Sequence, residues 1–176
     1  MNETLSVIVP VFNAQNSLAK EVHELLDVLS DLETRFELVL VDDGSTDQTS
    51  DIADELAYQF PQIQIVRHPR RFGASAAIQS GLRRANGEIV FVQDEFTPFS
   101  AMELRRLWEL RFDDKRLDAR LATPGALDNG LLRRLSDWGV ALKKHSQREE
   151  QPRRGIQMIR RHVVDKMRSE QMATVH

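Results

Sequence analysis

Apolar residues in the first hundred positions fall into short runs separated by stretches with helical spacing. Residues 5–11 form a nearly continuous apolar run, and comparable runs occupy 36–41, 63–66 and 89–92. Runs this short and apolar on both faces suit buried strands of a parallel sheet. Between them, Leu18, Val22, Leu25, Leu26 and Leu29 make one helical stripe. Ile52, Leu56 and Phe60 make a second, and Ala77, Ile78, Leu82 and Ala85 a third. Ser100 and Glu103 have capping-box spacing, which predicts a helix running through Leu110. Alternation of this kind predicts βαβ units, right-handed crossovers and a doubly wound, three-layer α/β fold with a mostly parallel sheet.

Past Phe112 the pattern loosens. Residues 113–118 read as a charged turn, 119–122 as a short strand and 127–144 as a helix. A polar loop over 147–154 and a last helix from about Ile159 to Met167 complete the reading. The 176 residues suffice for one well-buried core rather than two full domains. The absence of cysteine excludes disulfides and thiolate metal sites. No run approaches the roughly 18 apolar residues of a membrane span, and no basic, apolar leader precedes the first strand. A cytoplasmic protein, peripheral to a membrane at most, is the expectation.

The net charge of −3 conceals an asymmetry. Residues 1–100 carry 7 basic and 16 acidic groups, and residues 101–176 carry 17 basic and 11 acidic. A basic second half suits lipid head groups, a phosphorylated acceptor, nucleic acid or a protein partner, but charge runs are more often a solvated, mostly helical surface. Nucleic acid is not the expected partner.

In open α/β sheets, ligands bind beyond the carboxyl ends of the strands. The unusual polar residues collect there: Pro10-Val11-Phe12-Asn13, then Asp42 to Asp47, then Arg67 to Gly73, then Asp94-Glu95. Carboxylates accept the imide N–H of uracil or the amino edge of guanine, and Phe12 offers a face for stacking a base. The helix start after Gly73 and the neighbouring arginines suit phosphate oxygens. Asp94 suits a divalent ion on a diphosphate. The same features also have plain structural uses. Asp43 to Asp47 makes a good turn and helix cap without a ligand, and Gly73 permits an unusual backbone angle.

Residues 6–13, Ser-Val-Ile-Val-Pro-Val-Phe-Asn, and 38–47, Leu-Val-Leu-Val-Asp-Asp-Gly-Ser-Thr-Asp, resemble the opening motifs of family 2 glycosyltransferases. Phe72-Gly73, Ala76-Ala77, Ser80-Gly81-Leu82 and residues 85–90 continue the match in order and spacing. Arg133-Arg134-Leu135-Ser136, Pro152 with Gly155, and Arg160-Arg161 extend it toward the polyprenyl-phosphate (dolichyl-phosphate type) sugar transferases. The resemblance implies a GT-A (nucleotide-diphospho-sugar transferase, Rossmann-like) fold and inverting transfer from a UDP- or GDP-linked sugar to a lipid-phosphate acceptor. It implies a nucleotide-sugar-binding α/β domain over 1–112 and a contracted, mostly helical remainder of the same domain over 113–176. The nucleotide-sugar site would comprise Pro10, Phe12, Asn13, Asp42, Asp43, Arg71, Gly73 and Asp94. Asp94 would be the first carboxylate of a D-x-D motif holding Mg²⁺ or Mn²⁺.

Phe96 stands in place of the second D-x-D carboxylate. Ala14, Pro98, Gln151 and Gln157 replace a glutamate, a glutamine, an aspartate and an arginine of the family pattern. Loss of one preorganised electrostatic group costs on the order of 10²–10³ in rate. The residues therefore leave several readings open. One is a transferase in which Arg71 and the C-terminal arginines take over the metal's charge. Another is a catalytically inactive relative that binds a nucleotide-sugar, and a third is an interaction module.

Overall fold

The computed structural model describes residues 3–32, 34–93, 101–109, 156–165 and 169. Its elements run β1 (Leu5–Val11), α1 (Leu18–Ser30), β2 (Phe36–Asp42), α2 (Thr49–Gln59), β3 (Ile63–Arg67), α3 (Ala74–Arg84), β4 (Ile89–Gln93), α4 (Ala101–Glu109) and β5 (Ile156–Arg160). The sheet order is β3-β2-β1-β4-β5. The first four strands pair in parallel, and β5 pairs antiparallel with β4.

Both faces of the sheet are covered, which is why its central strands read as unbroken apolar runs. Successive strand side chains point to opposite faces. Leu5, Val7, Val9 and Val11 thus enter one core with Leu18, Leu25 and Leu29 of α1, Leu56 of α2 and Leu104 and Trp108 of α4. Ile8, Val39 and Val41 enter the other core with Ala77 and Leu82 of α3 and with Val164. The three-layer α/β architecture with a mostly parallel sheet is as the pattern predicts.

The chain winds outward from β1 through β2 to β3 and then returns to place β4 on the other side of β1. The order reverses between β1 and β4, and such a switch point opens a crevice beyond the strand ends. Candidate residues after β1 flank this point, and those after β2 and β3 lie on the neighbouring strand ends.

One element departs from the expected pattern. The helix expected from Ile159 instead begins as a strand, with residues 161–165 helical after it. Met158 is buried in one core and Ile159 in the other, the two-residue alternation of a strand. Pairing with the exposed edge of β4 overrides a local sequence that reads equally well as helix. The expected features over 113–155, and the proposed Ser100 cap, lie outside the described residues.

Candidate functional site

Pro10 is buried in β1 opposite Val41. Proline lacks the N–H that a central strand uses, but the β1–β4 ladder runs only from Leu5 to Ile8. Leu5 donates to Arg35, and the Val11 carbonyl accepts from Asp43, both on the β2 side. By alternation Pro10 faces the β4 side, beyond the end of that ladder, so no sheet bond is lost.

The chain then turns sharply. Phe12 is half-buried, and Asn13 takes φ 49°, a left-handed conformation that asparagine tolerates better than most residues. The Asn13 amide donates to Ser45 Oγ at 3.0 Å, and its Oδ1 accepts from the Thr46 amide at 2.9 Å. The Ala14 amide donates to Thr49 Oγ1 at 2.7 Å and the Gln15 amide to Asp47 Oδ2 at 3.2 Å. The loops after β1 and β2 are therefore laced together by side chains of the Asp-Gly-Ser-Thr-Asp run. At Asp47, desolvation opposes ionisation, but hydrogen bonds from Thr49 and from the Gln15 amide outweigh it and hold the carboxyl below its usual range.

Asp42 and Asp43 are both about as buried as core residues, at 2% exposure. Asp42 Oδ1 accepts from the Ser45 amide at 2.9 Å and Oδ2 from Ser50 Oγ, which holds the turn into α2. Gly44 follows with φ 72°, and a Cβ there would lie 2.3 Å from the Arg70 carbonyl carbon. Only glycine permits both the angle and the close passage of the β3–α3 loop.

Asp43 organises that loop. Its Oδ1 accepts from His68 Nδ1 at 2.7 Å and from the Phe72 amide at 2.9 Å, and its Oδ2 accepts from the Gly73 amide at 2.7 Å. A carboxylate is an acceptor only, so His68 carries its proton on Nδ1. His68 Nε2 meets Ser80 Oγ of α3 at 2.8 Å, and Arg83 Nη2 donates to the same hydroxyl at 3.0 Å. Asp43, His68 and Ser80 thus tie the end of β2 to the start and middle of α3. Gly73 takes φ 97° as it enters that helix.

Around this buried knot stand more exposed groups. The Arg71 guanidinium lies 4.1 Å from the Phe12 ring centroid, and that of Arg70 lies 5.2 Å from the centroid of Phe72, which is half exposed. Arg67 is turned to α2, where it pairs with Asp54 at 2.6 Å and donates to the Ser50 carbonyl. The structure therefore brings Pro10, Phe12, Asn13, Asp42, Asp43, Arg71 and Gly73 to one end of the sheet. Asp94 and Phe96 lie outside the described residues.

The Phe72 and Gly73 amides are spent on Asp43. One expectation changes. Arg160 and Arg161, expected to reinforce the site's charge, stand at the opposite edge. Antiparallel pairing sets Ile156 beside Gln93 at the crevice end of β4 but Arg160 beside Ile89 at the far end. There Arg161 donates to the carbonyls of Gly87 (3.0 Å) and Ala85 (2.6 Å), and Arg160 approaches Glu3 at 4.0 Å. Sequence reasoning assigned no role to His68 or Ser80. The available signal was a tandem carboxylate followed by a histidine at the end of the next strand.

The fold and site define a doubly wound α/β protein with a polar cluster beyond the carboxyl ends of β1, β2 and β3. The chain belongs to glycosyl transferase family 2, whose model matches residues 6–124. Family membership and the observed sheet order together assign it the GT-A fold class. It is 35% identical over 95 residues to a dolichyl-phosphate β-glucosyltransferase of Trichomonas vaginalis, covering 51% of this chain and 29% of that protein. It is 32% identical over 108 residues to an undecaprenyl-phosphate 4-deoxy-4-formamido-L-arabinose transferase of Pseudomonas syringae, covering 60% of this chain and 32% of that protein. The chain thus spans about a third of the length of these relatives. A solved mannosyltransferase of Pyrobaculum calidifontis, in complex with GDP-Man and Mn²⁺, is 28% identical over 63% of this chain and 33% of its own, with a TM-score of 0.48.

Among the described residues no helix is long and apolar enough to cross a membrane, and no group of three or more His, Asp or Glu side chains is placed to hold a metal ion. Asp42 and Asp43, the buried carboxylates at the end of β2, direct both oxygens at protein donors. The described residues alone do not make a metal site, and Asp94 is the remaining candidate ligand.

Proposed function

We propose that this chain is the nucleotide-sugar-binding part of a family 2 glycosyltransferase serving transfer to a polyprenyl-phosphate acceptor. The observation that carries the reading is the convergence of Phe12, Asn13, Asp43 and Arg71 beyond the carboxyl ends of β1, β2 and β3, on loops that hydrogen bonds hold in place. Both relatives described above act, by name, on polyprenyl phosphates.

In this reading the base enters between Phe12 and the Asp43 knot, stacking on the ring and directing an N–H at the carboxylate. Arg71, over Phe12, is the cation assigned to the diphosphate, where a guanidinium makes paired charge-assisted bonds. The acceptor phosphate oxygen forms the new bond to the anomeric carbon as the bond from that carbon to the nucleoside diphosphate oxygen breaks. The nucleoside diphosphate departs with the bonding electrons. An ionised phosphate oxygen is already a nucleophile, so the step needs no general base. A divalent ion on Asp94 would neutralise charge on the departing diphosphate, but the described residues do not supply the rest of its ligand set and no step here depends on it.

The test is calorimetry with UDP- and GDP-sugars, with and without Mn²⁺, followed by a transfer assay using a radiolabelled sugar and polyprenyl phosphate. Binding with transfer is expected. Absence of binding to every nucleotide-sugar refutes the reading. Binding without transfer removes its catalytic half and leaves a nucleotide-sugar-binding module.

A further inference from the structure

The Asp43 carboxylate has a restricted capacity. An ionised carboxylate offers about four acceptor sites, two on each oxygen. Oδ1 already accepts from two donors, His68 Nδ1 and the Phe72 amide, while Oδ2 accepts from the Gly73 amide alone. Among the described residues one acceptor site therefore remains, on Oδ2. The residue is buried, at 2% exposure, so a group that meets it gives up its water.

The bases differ in what they present to such a site. Guanine carries two adjacent N–H donors on its pairing edge and needs both oxygens of a carboxylate to satisfy them. Cytosine and adenine place a ring-nitrogen lone pair beside their amino N–H, and that lone pair repels a carboxylate. Uracil presents one imide N–H and no adjacent donor.

Resting on the proposed nucleotide-sugar reading of this site, we infer that the donor specificity is for uridine, and that His68 is the positioning residue that sets it by saturating Oδ1. A guanine in the same place leaves one N–H without a partner in a buried setting, a penalty large enough to be read in affinity. His68 is held for this task from its far side by Ser80, whose hydroxyl is in turn braced by Arg83.

The experiment is a comparison of UMP, CMP and GMP, then of UDP and GDP, titrated calorimetrically into the full chain under one buffer with Mn²⁺. Uridine nucleotides are expected to bind about tenfold or more tightly than the guanosine and cytidine nucleotides. Equal or tighter binding of a guanosine or cytidine nucleotide overturns the inference while leaving the nucleotide-binding reading intact. Failure of all five to bind overturns that reading and the inference with it.

The His68 assignment has its own readout. His68→Ala frees an acceptor site on Oδ1, so the UMP-to-GMP affinity ratio should fall toward one. His68→Asn returns an N–H near the Nδ1 position and should restore the ratio. A purely structural histidine would change both affinities together and leave the ratio alone, which would remove His68 from the proposal. If the alanine variant does not fold, the ratios of His68→Asn and of the unmodified protein still decide between the outcomes: a preference for guanosine in either one overturns it.

Discussion

The guanidinium of Arg71 sits 4.1 Å from the centroid of the Phe12 ring, joining the loop after β1 to the loop after β3. Such a contact at a partly exposed site contributes about 0.5–1 kcal/mol, little enough for a nucleotide to displace. Phe12→Ala should weaken nucleotide binding roughly tenfold through loss of base stacking. Arg71→Gln should weaken binding of UDP more than that of uridine, because the charge it removes serves the phosphates. Calorimetry on both ligands separates these effects, and an equal loss for uridine and UDP in Arg71→Gln would place the arginine with the base instead.

Gly44 should tolerate no side chain. Its φ of 72° and the Arg70 backbone, 2.3 Å from where a Cβ would stand, act together against substitution. Gly44→Ala is expected to cost at least about 1–3 kcal/mol from the backbone angle alone, with further displacement of the β3–α3 loop. Urea unfolding measures the first effect, and reduced nucleotide affinity in the folded fraction reports the second.

At the opposite edge, Arg161 satisfies the carbonyls of Ala85 and Gly87. Arg161→Ala should destabilise the fold by about 1–3 kcal/mol, the range for leaving buried polar groups unpaired. Nucleotide affinity should not change, because the residue stands at the far end of the sheet from the crevice. A loss of affinity without a loss of stability would contradict the register that places it there.

Glu37 makes the fold sensitive to acid. Burial opposes its ionisation, but hydrogen bonds from Ser6, from Asn86 and from the Gly87 amide outweigh this and lower its pKa below the usual 4.5. Ser6 Oγ and Gln64 Nε2 both lie 2.6 Å from its oxygens. A carboxyl with a lowered folded-state pKa contributes stability that is present above its unfolded-state value and lost as pH falls through the folded one. Glu37→Gln should therefore be less stable than the parent at neutral pH, with the difference shrinking below about pH 4. Denaturant midpoints measured across that interval check the sign.

Much of the framework was legible in the chain itself. Strands β1 to β4 and the helices between them followed from apolar periodicity, because a strand buried on both faces has no polar side to interrupt its run. The Asp-Gly-Ser-Thr-Asp turn and its place at a strand end followed from residue chemistry. The same signals announced the family and gathered Pro10, Phe12, Asn13, Asp42, Asp43, Arg71 and Gly73 to one end of a sheet. Asp94 remains a candidate by position.

Tertiary structure decided the rest, since it depends on partners distant in sequence. Residues 156–160 became a strand because β4 offered an unpaired edge, and the antiparallel register carried Arg160 and Arg161 away from the crevice. Asp43 reads as an acidic residue in a turn until folding brings up His68 and the Phe72 and Gly73 amides, some 25 to 30 positions later. A sequence names the carboxylate, but only the folded chain determines how many of its lone pairs are left for a ligand.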